Sequence, residues 1–167
     1  MMMMRTLTTA VCVTLGLASM AQPNYKRPHN QMLDQAKAHL ANEDYEAALK
    51  IYKRLLPVDT TFVEVYYEVG LCYVNLPGQR EKAIPHMEKA VRGGHTEAHY
   101  ELALLRHRQQ RFDDAVDLLH AYRNLNYRAV KDVEVQRLVA MAQQAKELVK
   151  HPIDVQVRNM GTTVNSE

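Results

Sequence analysis

The chain has 167 residues, 24% of them charged and 47% hydrophobic, and its net charge is +2. That balance supplies apolar material for one core domain with tails. It excludes the dense basic field of a nucleic-acid binder and the acidic run of a solvated tail.

In chain order, MMMMR is a short basic start, and Leu7 to Leu17 is an apolar run of leader length. Ser19-Met20-Ala21 puts small residues at the two positions a signal peptidase reads. Residues 1–21 therefore read as a signal peptide cleaved after Ala21, with a linker over 22–28. Cleavage removes Cys12 and leaves Cys72 as the single thiol, so no internal disulfide forms. The leader alone carries the compartment: export to the periplasm or the periplasmic face of the outer membrane, with no membrane span left after cleavage. Cys72 sits in an apolar run and reads as a small buried hydrophobe.

Three segments then share one pattern: residues 44–56, 79–91 and 111–123. Each carries Ala at the same place, Ala48, Ala83 and Ala115, which are 35 and 32 residues apart. Each follows another helical segment, 31–41, 63–76 and 97–109, with Ala36, Gly70 and Ala103 at a matching point. Small residues where two helices cross let the axes approach closely. Thr61 to Glu64 fits a capping box, Pro77-Gly78 and Gly93-Gly94 break the chain, and Thr96 is placed to cap the next helix. Pro85 is tolerable only in a helix that starts near Arg80 or later. Residues 131–150 read as one long amphipathic helix, apolar at Val135, Leu138, Val139, Ala142, Ala145 and Val149, which covers the last hydrophobic face. Beyond Pro152, Ile153, Val155 and Val157 alternate with polar residues, so 151–167 is an extended tail or the first strand of a following β domain.

A helix pair about every 34 residues, with small residues at the crossings, resembles the tetratricopeptide repeat. The implied fold is all-α: a solenoid of three helix pairs, over about 29–61, 62–95 and 96–124, a capping helix over 131–150, and a short extended segment. The stretch KAIPHMEKAVRGGHTEAHYELA also resembles the related Sel1-like repeats. Helical repeats followed by Pro152, the Ile153/Val155/Val157 alternation, Asn159, Gly161 and Asn165-Ser166 resemble the junction in Bacteroidota envelope proteins. Those proteins run from a signal peptide and such repeats into a PD40-type propeller and often an OmpA-like domain, some within the type IX secretion and gliding machinery.

Chemistry is sparse. His95 and His99 have i, i+4 spacing, but a zincin would need Glu directly after the first His, and no third ligand is evident. No P-loop, dinucleotide-binding glycine pattern or nucleophile elbow is present. Glu46, Asp113, Asp114 and Asp117 fall on outer or turn positions, so no enzyme, metal or cofactor is expected. The remaining surface is the groove that leading helices line in this repeat class. Repeat register places Leu33, Lys37 and Leu40 there, then Tyr67, Leu71 and Val74, then Tyr100, Leu104 and His107. Family members that grip a terminal carboxylate carry Lys, Asn and Arg at several of these places; only Lys37 fits, so the resemblance implies an apolar peptide or helix of a protein partner instead. In the middle helix, Val69, Gly70 and Tyr73 are expected to face neighbouring helices with Cys72 enclosed, and Glu68 and Asn75 to meet water. The expected function is a non-catalytic interaction scaffold of the cell envelope, the first module of a larger outer-membrane or peptidoglycan-associated protein. The alternatives are the repeat arm of an envelope enzyme, or a free-standing periplasmic co-chaperone.

Overall fold

A computed structural model describes residues 27–58, 61–125 and 132–152 of the protein. The expected leader, the Ile153/Val155/Val157 alternation and the rest of the tail lie outside these residues. Among the described residues seven α-helices follow one another: α1 Arg27–Ala41, α2 Tyr45–Leu55, α3 Val63–Asn75, α4 Ile84–Arg92, α5 Thr96–Arg108, α6 Phe112–Leu125 and α7 Asp132–Lys150. A single 3-10 turn, Arg80–Ala83, leads into α4. Each helix packs against the next in sequence, which is the connectivity of a helical solenoid.

The crossings depend on the absence of side chains. Ala36, Ala48, Ala83 and Ala115 are fully or almost fully enclosed. At Gly70 a Cβ would sit 2.7 Å from the Met87 Cε and 2.9 Å from its Sδ, so α3 and α4 touch through a residue that has none. Around these contacts Tyr52, Leu55, Val65, Val69, Cys72 and Met87 form a core that spans α2, α3 and α4. A second cluster, Ala103, Leu119, Tyr122 and Val135, joins α5 and α6 to α7. The helix at 132–150 thus covers the last pair, burying Val135 and Ala142.

Local punctuation agrees with the sequence in some places and departs from it in others. Pro85 sits in the first turn of α4, where its missing N–H has no intrahelical partner to lose. Asp44 caps α2 by accepting from the Ala47 N–H at 3.2 Å. The turns inside the three pairs each need a left-handed residue: Glu43 at φ 58, Gly78 at φ 69 and Gln110 at φ 60. Only the middle turn uses glycine, which adopts this conformation without a Cβ penalty. The expected capping box at Thr61–Glu64 does not form in that register. Phe62 is the N-cap residue of α3, and the Glu64 carboxylate turns to His95 instead. Thr96 is likewise not the cap of α5; His95 is.

Candidate partner-binding groove

Side-chain contacts tie α3 to α5 and α5 to α7 along one face. His95 opens α5 and accepts the Ala98 N–H on Nδ1 at 3.3 Å. Its proton therefore sits on Nε2, which donates to Glu64 of α3 at 3.0 Å. Tyr67 of α3 stacks on the same imidazole with ring centroids 4.0 Å apart. One repeat further on, the Tyr100 hydroxyl of α5 donates to Glu134 of α7 at 2.7 Å. Its ring leans against Tyr122 at 5.4 Å.

A pocket of about 390 Å³ opens between α3, α5, α6 and α7. Its floor is apolar, built from Val74, Leu104, Leu105, Leu119, Leu138 and Met141, while Glu101, Arg80, Arg108 and His107 stand around it. A concave apolar site with few polar groups is what a side chain of a partner needs for burial.

The nine groove positions taken from repeat register divide into three groups. Val74, Leu104 and His107 line the pocket. Leu33, Leu40, Tyr67 and Leu71 are half-buried against the core cluster, and Lys37 is exposed on α1. Tyr100 is half-buried and engaged by α7, so its hydroxyl is already committed to Glu134. Burial, with the Glu134 hydrogen bond next, pushes that hydroxyl up to about 12. Tyr100→Phe is accordingly expected to cost about 1–2 kcal/mol by releasing the carboxylate at α7, read as a lower urea midpoint.

The expectation that Glu68 meets water is wrong. Glu68 is 8% exposed, and its carboxyl lies against that of Glu64. It fails because α3 packs against α2 and α4 and meets α5 through His95, so no wet strip remains at that angle. Burial, and then the Glu64 charge, push the Glu68 carboxyl up to about 7, while Lys37 and His95 pull it down. The same residue raises the buried Tyr52 hydroxyl, after burial itself. Cys72 is enclosed as expected. Burial, with Glu68 second, lifts its thiol to about 12, which suits an inert packing residue and not a nucleophile. His99 is buried between paired helices, its Nδ1 3.0 Å from the His95 carbonyl oxygen. Among the described residues no group of three His, Cys, Asp or Glu is placed to hold a metal ion. Nor is any described helix long and apolar enough to cross a membrane.

Repeat register missed Glu101, Leu138 and Met141, which line the pocket. For Glu101 the signal was present: Glu68, Glu101 and Glu134 recur at intervals of 33 residues, as do Glu64 and Glu97.

Residues 78–129 match the family model described as tetratricopeptide repeat. No curated protein matches the chain. Among solved structures, the TPR2B domain of yeast Sti1 in its pHsp70 complex is similar at 17% identity and a TM-score of 0.63, covering 72% of this chain and 99% of that one. The Sgt2 TPR domain from Aspergillus fumigatus is similar at 15% identity and a TM-score of 0.64, covering 84% and 93%. The Yersinia enterocolitica type III secretion chaperone SycD, in complex with a peptide of the translocator YopD, is similar at 17% identity and a TM-score of 0.62, covering 78% and 100%. The described residues form a TPR-like helical solenoid, and within it residues 78–129 are similar to the tetratricopeptide repeat.

Proposed function

We propose that this chain is a non-catalytic interaction scaffold that holds a segment of a protein partner on the face shared by α1, α3, α5 and α7. The observation that carries the reading is the apolar pocket between α3, α5, α6 and α7, large enough for one or two bulky side chains. The similar Sti1 and SycD structures are complexes, with pHsp70 and with a translocator peptide, which supports a peptide-sized occupant. A carboxylate clamp fits poorly. Lys37 is its one matching cation, and that charge already acts on Glu64 and Glu68.

The leader at 1–21 supports an exported protein at the periplasmic face of the outer membrane. A place as first module of an envelope complex, of the type IX secretion kind, rests on the resemblance of the segment after Pro152. An intact-mass measurement on the native protein separates a module of a longer chain from a free-standing co-chaperone.

Met141 lines the pocket and is itself 45% exposed, so Met141→Asp changes the surface with little effect on packing. It is expected to weaken binding of a labelled amphipathic Leu-rich helix at least tenfold, about 1.4 kcal/mol, with unchanged circular dichroism. Undiminished binding with the fold intact contradicts the pocket reading.

A further inference from the structure

Each earlier leading helix packs against the trailing helix that follows it: α1 against α2, α3 against α4 and α5 against α6. Among the described residues α7 has no such follower, and its helix packing runs back to α6. The face left open is ordered. Val133, Arg137, Ala140, Met141, Gln144 and Leu148 recur every three or four residues, which makes one stripe of a helix, and all six are exposed. Val133 is 78% exposed and Leu148 59%, so large apolar side chains stand in water at both ends of the stripe, with Met141 at its middle.

The stripe is its own complement. Two copies turned head to tail about a twofold axis between Ala140 and Met141 bring Val133 to Leu148, Arg137 to Gln144 and Ala140 to Met141. That meets the rule of an isologous contact, in which each residue meets the one that meets it. The small Ala140 beside the axis lets the helices approach and leaves room for the flexible Met141 thioether. Charge selects the same direction. Arg137 belongs to none of the described ion pairs of α7. In a parallel pair it would face its own copy; head to tail it faces the Gln144 amide, with Glu147 one turn further on. Short connections also make a trailing helix run antiparallel to its leading helix, so a second α7 takes the direction a next trailing helix would have.

We propose that α7 is a homodimerisation surface: two copies of this chain pair antiparallel through the stripe from Val133 to Leu148. This goes beyond the scaffold reading and does not depend on it. A helix of 19 residues is about 28 Å long, so the interface is small and pairing belongs to micromolar protein concentrations. The dimer carries two grooves, which lets a partner with two segments bind by avidity.

Sedimentation equilibrium of the full chain tests the pairing. The wild type is expected to dimerise with a dissociation constant on the order of 10–100 µM. Arg137→Glu sets a carboxylate beside Glu147 of the other copy, and Gln144→Lys sets a cation opposite Arg137. Each is expected to weaken dimerisation at least about tenfold, because like charges now meet. The double variant sets Glu against Lys across the axis and is expected to recover most of that loss. Circular dichroism checks that every variant keeps its helices. Neither residue lines the apolar pocket, so binding of the labelled Leu-rich helix is expected to be unchanged, which keeps a failed dimer distinct from a failed scaffold reading. A wild type that stays monomeric at these concentrations overturns the proposal. So does a double variant that pairs no better than either single one, since a dimer formed elsewhere, or in another register, gains nothing from the exchange.

Discussion

Gly70→Leu is expected to lower the unfolding free energy by about 3 kcal/mol, seen as a shift of the urea midpoint without loss of helix content. A Cβ at this position would already stand 2.7, 2.9 and 3.0 Å from Met87 Cε, Sδ and Cγ. Met87 is fully enclosed and has no solvent to swing into, so the three further carbons of leucine must push α3 away from α4. Gly70→Ala is the informative control. Alanine gains about 1 kcal/mol of helix propensity, and the flexible thioether gives way by a few tenths of an ångström, so the net change stays within about 1 kcal/mol. Gly70→Leu combined with Met87→Ala is expected to recover part of the loss. A neutral Gly70→Leu would mean that the two helices do not cross there, and the repeat register would be wrong.

Glu68→Gln is expected to do the opposite, stabilising the protein by about 2–3 kcal/mol at about pH 8 and hardly at all at about pH 4. Burial and the Glu64 charge raise the Glu68 carboxyl from 4.5 to about 7 in the folded state. Below about pH 4.5 both states hold the proton and there is no penalty. Between 4.5 and about 7 the unfolded chain releases it while the folded chain keeps it, so stability falls as pH rises. Above 7 the loss is complete. Glu64 runs the other way: the hydrogen bond from His95 lowers its carboxyl below 4.5, and its contribution is lost only as pH falls through that lower value. The two windows do not overlap, so a urea titration across pH assigns each slope to its residue. Parallel stability curves for wild type and Glu68→Gln would contradict the buried placement of this carboxyl.

Much of the fold was legible because small residues at helix crossings are a steric requirement and leave a fixed mark. Ala36, Gly70 and Ala103 in the leading helices, and Ala48, Ala83 and Ala115 in the trailing ones, all lie at close contacts. Helix ends were less legible. His95 displaces Thr96 as N-cap because its ring can accept the Ala98 N–H while bonding Glu64, a link to a residue 31 positions away. The left-handed residues Glu43 and Gln110 carry no glycine mark, so those turns were invisible as strained positions. Polarity misled most at Glu68. A helix with neighbours on three sides buries whatever occupies the inner angle, charged or not, and only the three-dimensional stack shows which angle that is. The Tyr100 hydrogen bond was illegible for a similar reason, since its partner Glu134 belongs to a helix 34 residues further along the chain.

The account stands or falls on the face shared by the leading helices. Methyl-resolved NMR of the full chain, titrated with the amphipathic Leu-rich helix, addresses it directly. Methyl signals of Leu71, Val74, Leu104, Leu138 and Met141 are expected to shift together at one saturating concentration, while Leu49 and Leu55 on α2 stay in place. Shifts confined to α2, α4 and α6, or spread evenly over both faces, would contradict a groove built from α1, α3, α5 and α7.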